Sequence, residues 1–248
     1  MREWLFGRQA VRETLRANRR PVFRLRFAEG NKESAILSEI LDLAWKRKIP
    51  IEQVPRDALD ALGDGHQGVA LHAEEYPLVT LDVILTSSPD GNNAPLLLVL
   101  DQIQDPQNLG TLLRTAEAAG VDGVILPAHR AAGITPAVVN ASSGAVEHLR
   151  VAHANLAQAI AEIKVRGIWV AGLEAAPEAQ SLFDADLSGP LALVIGSEGE
   201  GLRPLVRKSC DLLYRLPMSG RIGSLNAAVA GSIALYSVLR ARNASVKK

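Results

Sequence analysis

Three short segments of this chain bring together side chains that could hold one small molecule and act on a second. The first runs from Asp105 to Arg114 and carries Asn108 and Arg114 in the spacing N-x-G-x-x-x-R. It offers an amide for orientation and a guanidinium for an anion or a developing negative charge. The second, Gly196-Ser197-Glu198-Gly199-Glu200-Gly201, is rich in glycine but acidic. A phosphate cradle relies on bare N–H groups, usually with a lysine, and Glu198 and Glu200 would repel an anion. Such a loop is either a plain β-to-α turn or a seat for a ligand with hydroxyls, an amine or a cationic centre. S-adenosylmethionine, a sulfonium without phosphates, meets that description. The third segment, L-P-M-x(5)-S-L-N, runs from Leu216 to Asn226. Ser224 or Asn226 alone reads as a helix cap; the pair together, before a helix of small residues, is less expected.

All three segments fall at the ends of predicted strands. Leu96–Leu100, Val121–Leu126, Ile168–Ala171, Leu191–Ile195 and Leu212–Leu216 are short apolar runs, and amphipathic stretches separate them at 109–119, 156–165, 202–208 and 224–240. Alternating β and α with fully apolar strands predicts a parallel sheet covered on both faces. In such sheets ligands bind beyond the carboxyl ends of the strands. The first 75 residues predict a smaller α/β unit, with helices near 8–17 and 34–48 and strands at 22–27, 49–54 and 69–72. Residues 76–94 end in a cluster of turn formers and read as a linker, so the expected division is 1–75, a linker at 76–94, and 95–248.

Composition narrows the function classes. Net charge is zero, yet eight arginines fall in the first 26 residues, and Arg8, Arg12 and Arg16 recur at helical spacing. That stripe is either a solvated helix face or a surface for several phosphates. Gly63–Gly68 matches G-x-G-x-x-G, but it precedes a strand where a dinucleotide loop would follow one, so it reads as a turn. His66 and Gln67 within it remain candidates for touching RNA. Cys210 is the only cysteine and the five histidines are scattered, which leaves little support for a protein-bound metal. With no long apolar run and no leader-like start, a soluble cytoplasmic protein is expected.

Taken together and in this order, the three segments resemble the SpoU (TrmH) class of SPOUT RNA ribose 2′-O-methyltransferases. The likeness extends to Phe6–Val11, Phe27–Gly30 and His66–Val69, which look like that family's RNA-binding module, and to 138–148, similar to a substrate-side loop. Within the family it runs to the type that methylates a guanosine ribose in large-subunit ribosomal RNA. The resemblance implies an α/β fold: a C-terminal SPOUT parallel-sheet domain with a deep trefoil knot, plus an N-terminal domain like ribosomal protein L30e. It implies a homodimer and S-adenosylmethionine held around Ile195, Gly196, Leu216, Pro217, Met218 and Leu225. Arg114 would serve the 2′-hydroxyl, with Asn108, Glu198, Ser224 and Asn226 orienting it and the ribose. RNA would meet Arg8, Arg12, Arg16, His66, Gln67, Ser143 and Gly144. A transfer RNA target and a non-catalytic RNA-binding paralogue are the alternatives.

Overall fold

The computed structural model describes residues 1–87, 94–128, 132–197, 199 and 201–245. The chain divides into two compact units, Met1–Pro77 with Gly133–His148, and Leu78–Ala132 with Leu149–Lys248.

In the first unit, β1 (Arg2–Phe6), α1 (Arg8–Ala17), β2 (Val22–Ala28), α2 (Ala35–Lys46), β3 (Ile51–Val54), α3 (Arg56–Asp60) and β4 (Val69–Glu74) follow one another. The sheet order is β1-β4-β2-β3. The pleat sends Leu5, Leu25 and Leu71 to one face, where all three are fully buried. On that side α1 packs over β1 and β4 and against α2. β1 escapes the sequence pattern because its charged Arg2 and Glu3 mask the alternation; pairing with β4 completes it.

The arginine stripe of α1 does not stand free as a phosphate-binding face. α2 places Glu39 opposite it, so Arg16 Nε donates to Glu39 at 2.7 Å and Arg12 Nε donates to Glu13 at 2.8 Å. Arg8 donates to the Gln67 carbonyl and the Ser34 hydroxyl, both at 3.0 Å.

The second unit holds α4 (Leu81–Thr86), β5 (Leu96–Leu100), α5 (Pro106–Ala118), β6 (Gly123–Pro127), β7 (Val151–Ala154), α7 (Leu156–Val165), β8 (Trp169–Leu173), β9 (Gln180–Ser181), β10 (Leu191–Ile195), α8 (Pro204–Ser209), β11 (Leu212–Arg215) and α9 (Ala227–Ser245). Its sheet runs β7-β6-β5-β10-β8-β11-β9, and every pairing in it is parallel. β5, β6 and β10 are buried along their whole length, as the unbroken apolar runs predict. One face of the sheet meets Leu156, Ile160 and Ile163 of α7 in a continuous core.

Part of the expected linker is structured. Thr80 caps α4, and Ile84 enters the core so closely that a Cβ on Gly123 would lie 2.4 Å from it. Within the expected linker, the turn-rich stretch 88–93 lies outside the described residues.

The intervening segment Gly133–His148 forms α6 (Pro136–Ala141) and a 3₁₀ turn (Ala145–His148). Sequence order places it in the expected 95–248 domain, but its packing is with the first unit. Gly144 lies against α1, where a Cβ would sit 2.7 Å from that of Glu13. His148 Nε2 is 2.9 Å from Glu13 Oε2, and the buried carboxylate of Glu147 pairs with Arg20. Burial acts to raise the Glu13 carboxyl, but hydrogen bonds from His148 and Arg12 outweigh it and hold the pKa below its ordinary value.

Candidate active site

Register across the sheet gathers the three motifs. Leu100 of β5 and Leu173 of β8 both pair with Ile195 of β10, and Tyr214 of β11 pairs with Leu173. The chain therefore leaves four neighbouring strands at one level. A cavity of about 510 Å³ opens there, lined by Glu174, Ile195, Gly196, Ser197, Leu216, Met218, Ser224, Leu225 and Asn226 among others.

The glycine-glutamate loop folds back on itself. Ser197 N–H donates to the Gly201 carbonyl at 3.1 Å and Gly201 N–H returns a bond to the Ser197 carbonyl at 3.2 Å. A Cβ on Gly196 would lie 2.3 Å from the carbonyl carbon of Gly201 and 2.4 Å from its oxygen, so only glycine permits this closure. Both partners are backbone and cannot rotate aside. Gly196→Ala should open the loop and weaken binding of a ligand in the cavity by about tenfold or more, as a steric overlap of this kind costs roughly 1–3 kcal/mol. Calorimetric titration with S-adenosylmethionine would check it, and unchanged affinity would show that the loop does not shape the cavity.

The buried carboxylate of Asp101, just after β5, ties the strand end that leads into the first motif to the segment that follows the second. It accepts from Arg203 N–H at 2.9 Å and from Arg203 Nε at 2.6 Å. On the far side, Glu174 follows β8 directly, lines the cavity, and accepts from Arg207 Nε at 2.5 Å. Sequence reasoning missed Glu174; its signal was an acid immediately after an apolar strand.

Helix capping distributes the polar groups. The carboxylate of Asp105 caps α5, accepting from Gln107 and Asn108 N–H with Pro106 in the first helical position. Asn226 caps α9 by accepting from Ala228 and Val229 N–H at 2.9 and 3.1 Å. Its Nδ2 donates to Asn108 Oδ1 at 3.1 Å, which joins the first motif to the third. The two helices can come this close because Gly231 meets Leu112, where a Cβ would lie 2.5 Å from Cδ2, and because Thr115 and Ser232 share a hydrogen bond of 2.9 Å.

The expected cofactor residues Ile195, Gly196, Leu216, Met218 and Leu225 line the cavity, and Pro217 does not. Ser224 and Asn226 line it as well, Asn108 is reached through Asn226, and Arg114 is exposed on α5. Glu198 lies outside the described residues.

Among the expected RNA contacts, His66 is 4% exposed, bonded through Nε2 to Asp60 at 2.8 Å and through Nδ1 to Gly68 N–H. Its position is that of a turn-stabilising side chain. Gln67 is exposed in a left-handed conformation, and its side chain accepts from Arg8 N–H. Ser143 is half-buried, and packing on α1 accounts for Gly144. Burial pushes the Cys210 thiol up to about 12, and the side chain packs partly buried against the core. Among the described residues no helix is long and apolar enough to cross a membrane.

Comparison with known proteins gives a consistent result. Residues 95–236 match the model of the SpoU rRNA Methylase family, and residues 4–79 match that for RNA 2′-O ribose methyltransferase substrate binding. The YacO protein of Bacillus subtilis (strain 168), assigned to the TrmH family of tRNA/rRNA methyltransferases, is 42% identical over 97% of this chain and 96% of its own. Among solved structures, the SpoU methyltransferase AviRb from Streptomyces viridochromogenes, in complex with AdoMet, superposes with a TM-score of 0.81. It is 25% identical and covers 98% of this chain and 91% of its own. An AdoMet-bound rRNA methyltransferase from Sinorhizobium meliloti gives a TM-score of 0.79 at 25% identity, covering 96% of this chain and 87% of its own.

Proposed function

Because the chain belongs to the SpoU family of RNA methyltransferases, we propose that it methylates a ribose 2′-hydroxyl, that of a guanosine in large-subunit ribosomal RNA, using S-adenosylmethionine. The observation that carries this reading is the meeting of Asn108 with Asn226 beside a cavity lined by the second and third motifs.

The cavity suits the cofactor chemically. Backbone groups around Gly196 and Leu225 can hold an adenine without phosphate contacts, and Leu216 and Met218 supply apolar walls. Glu174 places a carboxylate where ribose hydroxyls or a sulfonium would be welcome. Bound there, the cofactor supplies an activated methyl group. The protein's part is alignment and charge stabilisation, since fixing two reactants in line can provide much of the acceleration. Arginine stays protonated at neutral pH. Arg114 therefore positions the target phosphate and hydroxyl and stabilises negative charge on the 2′-oxygen as its proton leaves to water or a phosphate oxygen. Ser224, Asn108 and Asn226 orient the ribose and Arg114, and the role left to Glu198 is to position Arg114 or Asn108.

The N-terminal unit is the RNA-gripping domain in this reading, with an L30e-like fold, and the C-terminal sheet carries the family's trefoil knot. The enzyme works as a cytoplasmic homodimer; exposed Leu205, Ile222 and Tyr236 supply apolar surface for a second copy. Ribosomal RNA is favoured over transfer RNA because a structure named for rRNA methylation matches along 96% of the chain. Radiolabelled methyl transfer to purified ribosomal and transfer RNA, followed by mapping of ribose methylation, tests the proposal. Label at a ribose of large-subunit RNA is expected. Label confined to transfer RNA would reassign the substrate, and none in either would favour a non-catalytic RNA-binding protein.

A further inference from the structure

The outer face of the N-terminal sheet carries an array of rings and guanidinium groups that none of the active-site roles uses. Strand alternation places Arg2 and Trp4 of β1, His72 of β4, and Arg24 and Arg26 of β2 opposite the buried Leu5, Leu71 and Leu25. A bulge between Val22 and Arg24 brings Phe23 to the same face. The rings of Trp4 and His72 stack with centroids 4.6 Å apart, and Phe23 tilts onto His72 at 5.6 Å. Arg2 lies over Phe23 at 3.9 Å and Arg26 over Trp4 at 5.1 Å. α3 covers only one end of the face, where Leu59 meets Ala28 and Ala70. Trp4 packs partly buried beside that cluster, and Arg2, Phe23, Arg24, Arg26 and His72 beyond it stay partly or fully exposed.

This composition points to one class of partner. Layers of aromatic rings and guanidinium planes are surfaces on which nucleobases stack, with little demand on sequence. Three arginines face two carboxylates, Glu74 opposite Arg2 and Glu52 shared by Arg24 and Arg26, so the margin of the stack is cationic. Burial and the nearby Arg2, Arg24 and Arg26 hold the His72 imidazole below its ordinary pKa, so it stacks as a neutral ring at pH 7. Duplex RNA has its bases already stacked and presents only backbone to such a platform.

We propose that this face holds one or two unpaired bases of the RNA substrate, stacked on the Trp4–His72–Phe23 array with Arg2, Arg24 and Arg26 flanking the backbone. The inference rests on the RNA methyltransferase reading and deepens it, because it names the part of the substrate this unit would grip.

Fluorescence offers a direct test. The chain has three tryptophans, and Trp45 and Trp169 are 79% and 58% exposed, so Trp45→Phe with Trp169→Phe leaves Trp4 as the sole reporter in the full-length chain. Titration with a short unstructured RNA strand should quench Trp4 saturably, and the matching duplex should bind at least about tenfold more weakly at this face. Arg24→Gln with Arg26→Gln should weaken single-strand binding by about tenfold without altering affinity for S-adenosylmethionine. Trp4→Phe should largely preserve binding, whereas Trp4→Leu should not. Retention of the strand with unchanged Trp4 emission, or equal quenching by the duplex, would overturn the proposal while leaving RNA binding intact. A response to an acidic peptide but not to RNA would assign the face to a protein partner and overturn it too. Retention of no RNA of any kind would sink the underlying reading itself.

Discussion

Arg114→Ala is expected to lower methyl transfer by about 10²–10³-fold, the cost of removing one donor aimed at a developing oxyanion. Affinity for S-adenosylmethionine should stay within about twofold, since Arg114 does not line the cavity that fits the cofactor. The residue is exposed on α5, the helix whose first turn carries Asn108 to Asn226. Its backbone is fixed by the close packing of α5 on α9 at Gly231. Arg114→Lys keeps the charge but loses the planar fork that can hold a phosphate and a hydroxyl together, and should recover only a small part of the rate. Single-turnover transfer of a labelled methyl group, paired with calorimetric cofactor binding, separates these effects. Near-normal methylation by Arg114→Ala would remove the residue from the chemistry and shift attention to Ser224 and Asn226.

The largest effect on stability is expected at Arg20. Its side chain is 1% exposed and that of its partner Glu147 is 0% exposed. Arg20 also donates to Glu3 at 2.6 Å and to the Glu74 carbonyl at 2.8 Å. The cluster therefore joins β1, the end of β4 and the 3₁₀ turn at 145–148. Burial holds the Glu3 carboxyl above its ordinary pKa, and the bond from Arg20 only partly offsets that rise. Arg20→Met would strand a fully buried carboxylate, which costs about 3–5 kcal/mol, enough to threaten a small unit. Arg20→Met combined with Glu147→Leu removes the fully buried pair and should recover part of the loss, because an apolar replacement of a buried ion pair is often near neutral, while the partly exposed Glu3 still loses its counter-charge. Urea unfolding of the two variants measures the difference. A loss below about 1 kcal/mol for Arg20→Met would mean the cluster is hydrated and does not anchor the segment.

Much of the second unit was legible in the chain itself. Leu96–Leu100 and Leu191–Ile195 are unbroken apolar runs, and such runs have few solutions other than strands buried on both faces. Gly196, Asn108, Ser224 and Asn226 stand at strand or helix ends, and Arg114 follows within the helix that Asn108 helps to open, because those positions follow from the local pattern. The order of the three motifs, and hence the family, could be read without any fold.

Folding decided what depends on partners distant in sequence. The spacing of Arg8, Arg12 and Arg16 says that they share a helix face; only α2 determines that Glu39 stands opposite that face and neutralises much of it. β1 becomes a strand through β4, 66 residues away in the pairing of Leu5 with Leu71. The segment Gly133–His148 lies between two strands of the catalytic sheet in the chain, yet it packs with the first unit because Glu147 finds its counter-charge at Arg20. Glu174 and Asp101 gain their places from strand register, which sets β8 and β5 on either side of β10. Local pattern thus determined which residues could do the chemistry. Non-local pairing of charges and strands decided which of them meet, since a charge or a strand edge in an isolated sequence does not carry the identity of its partner.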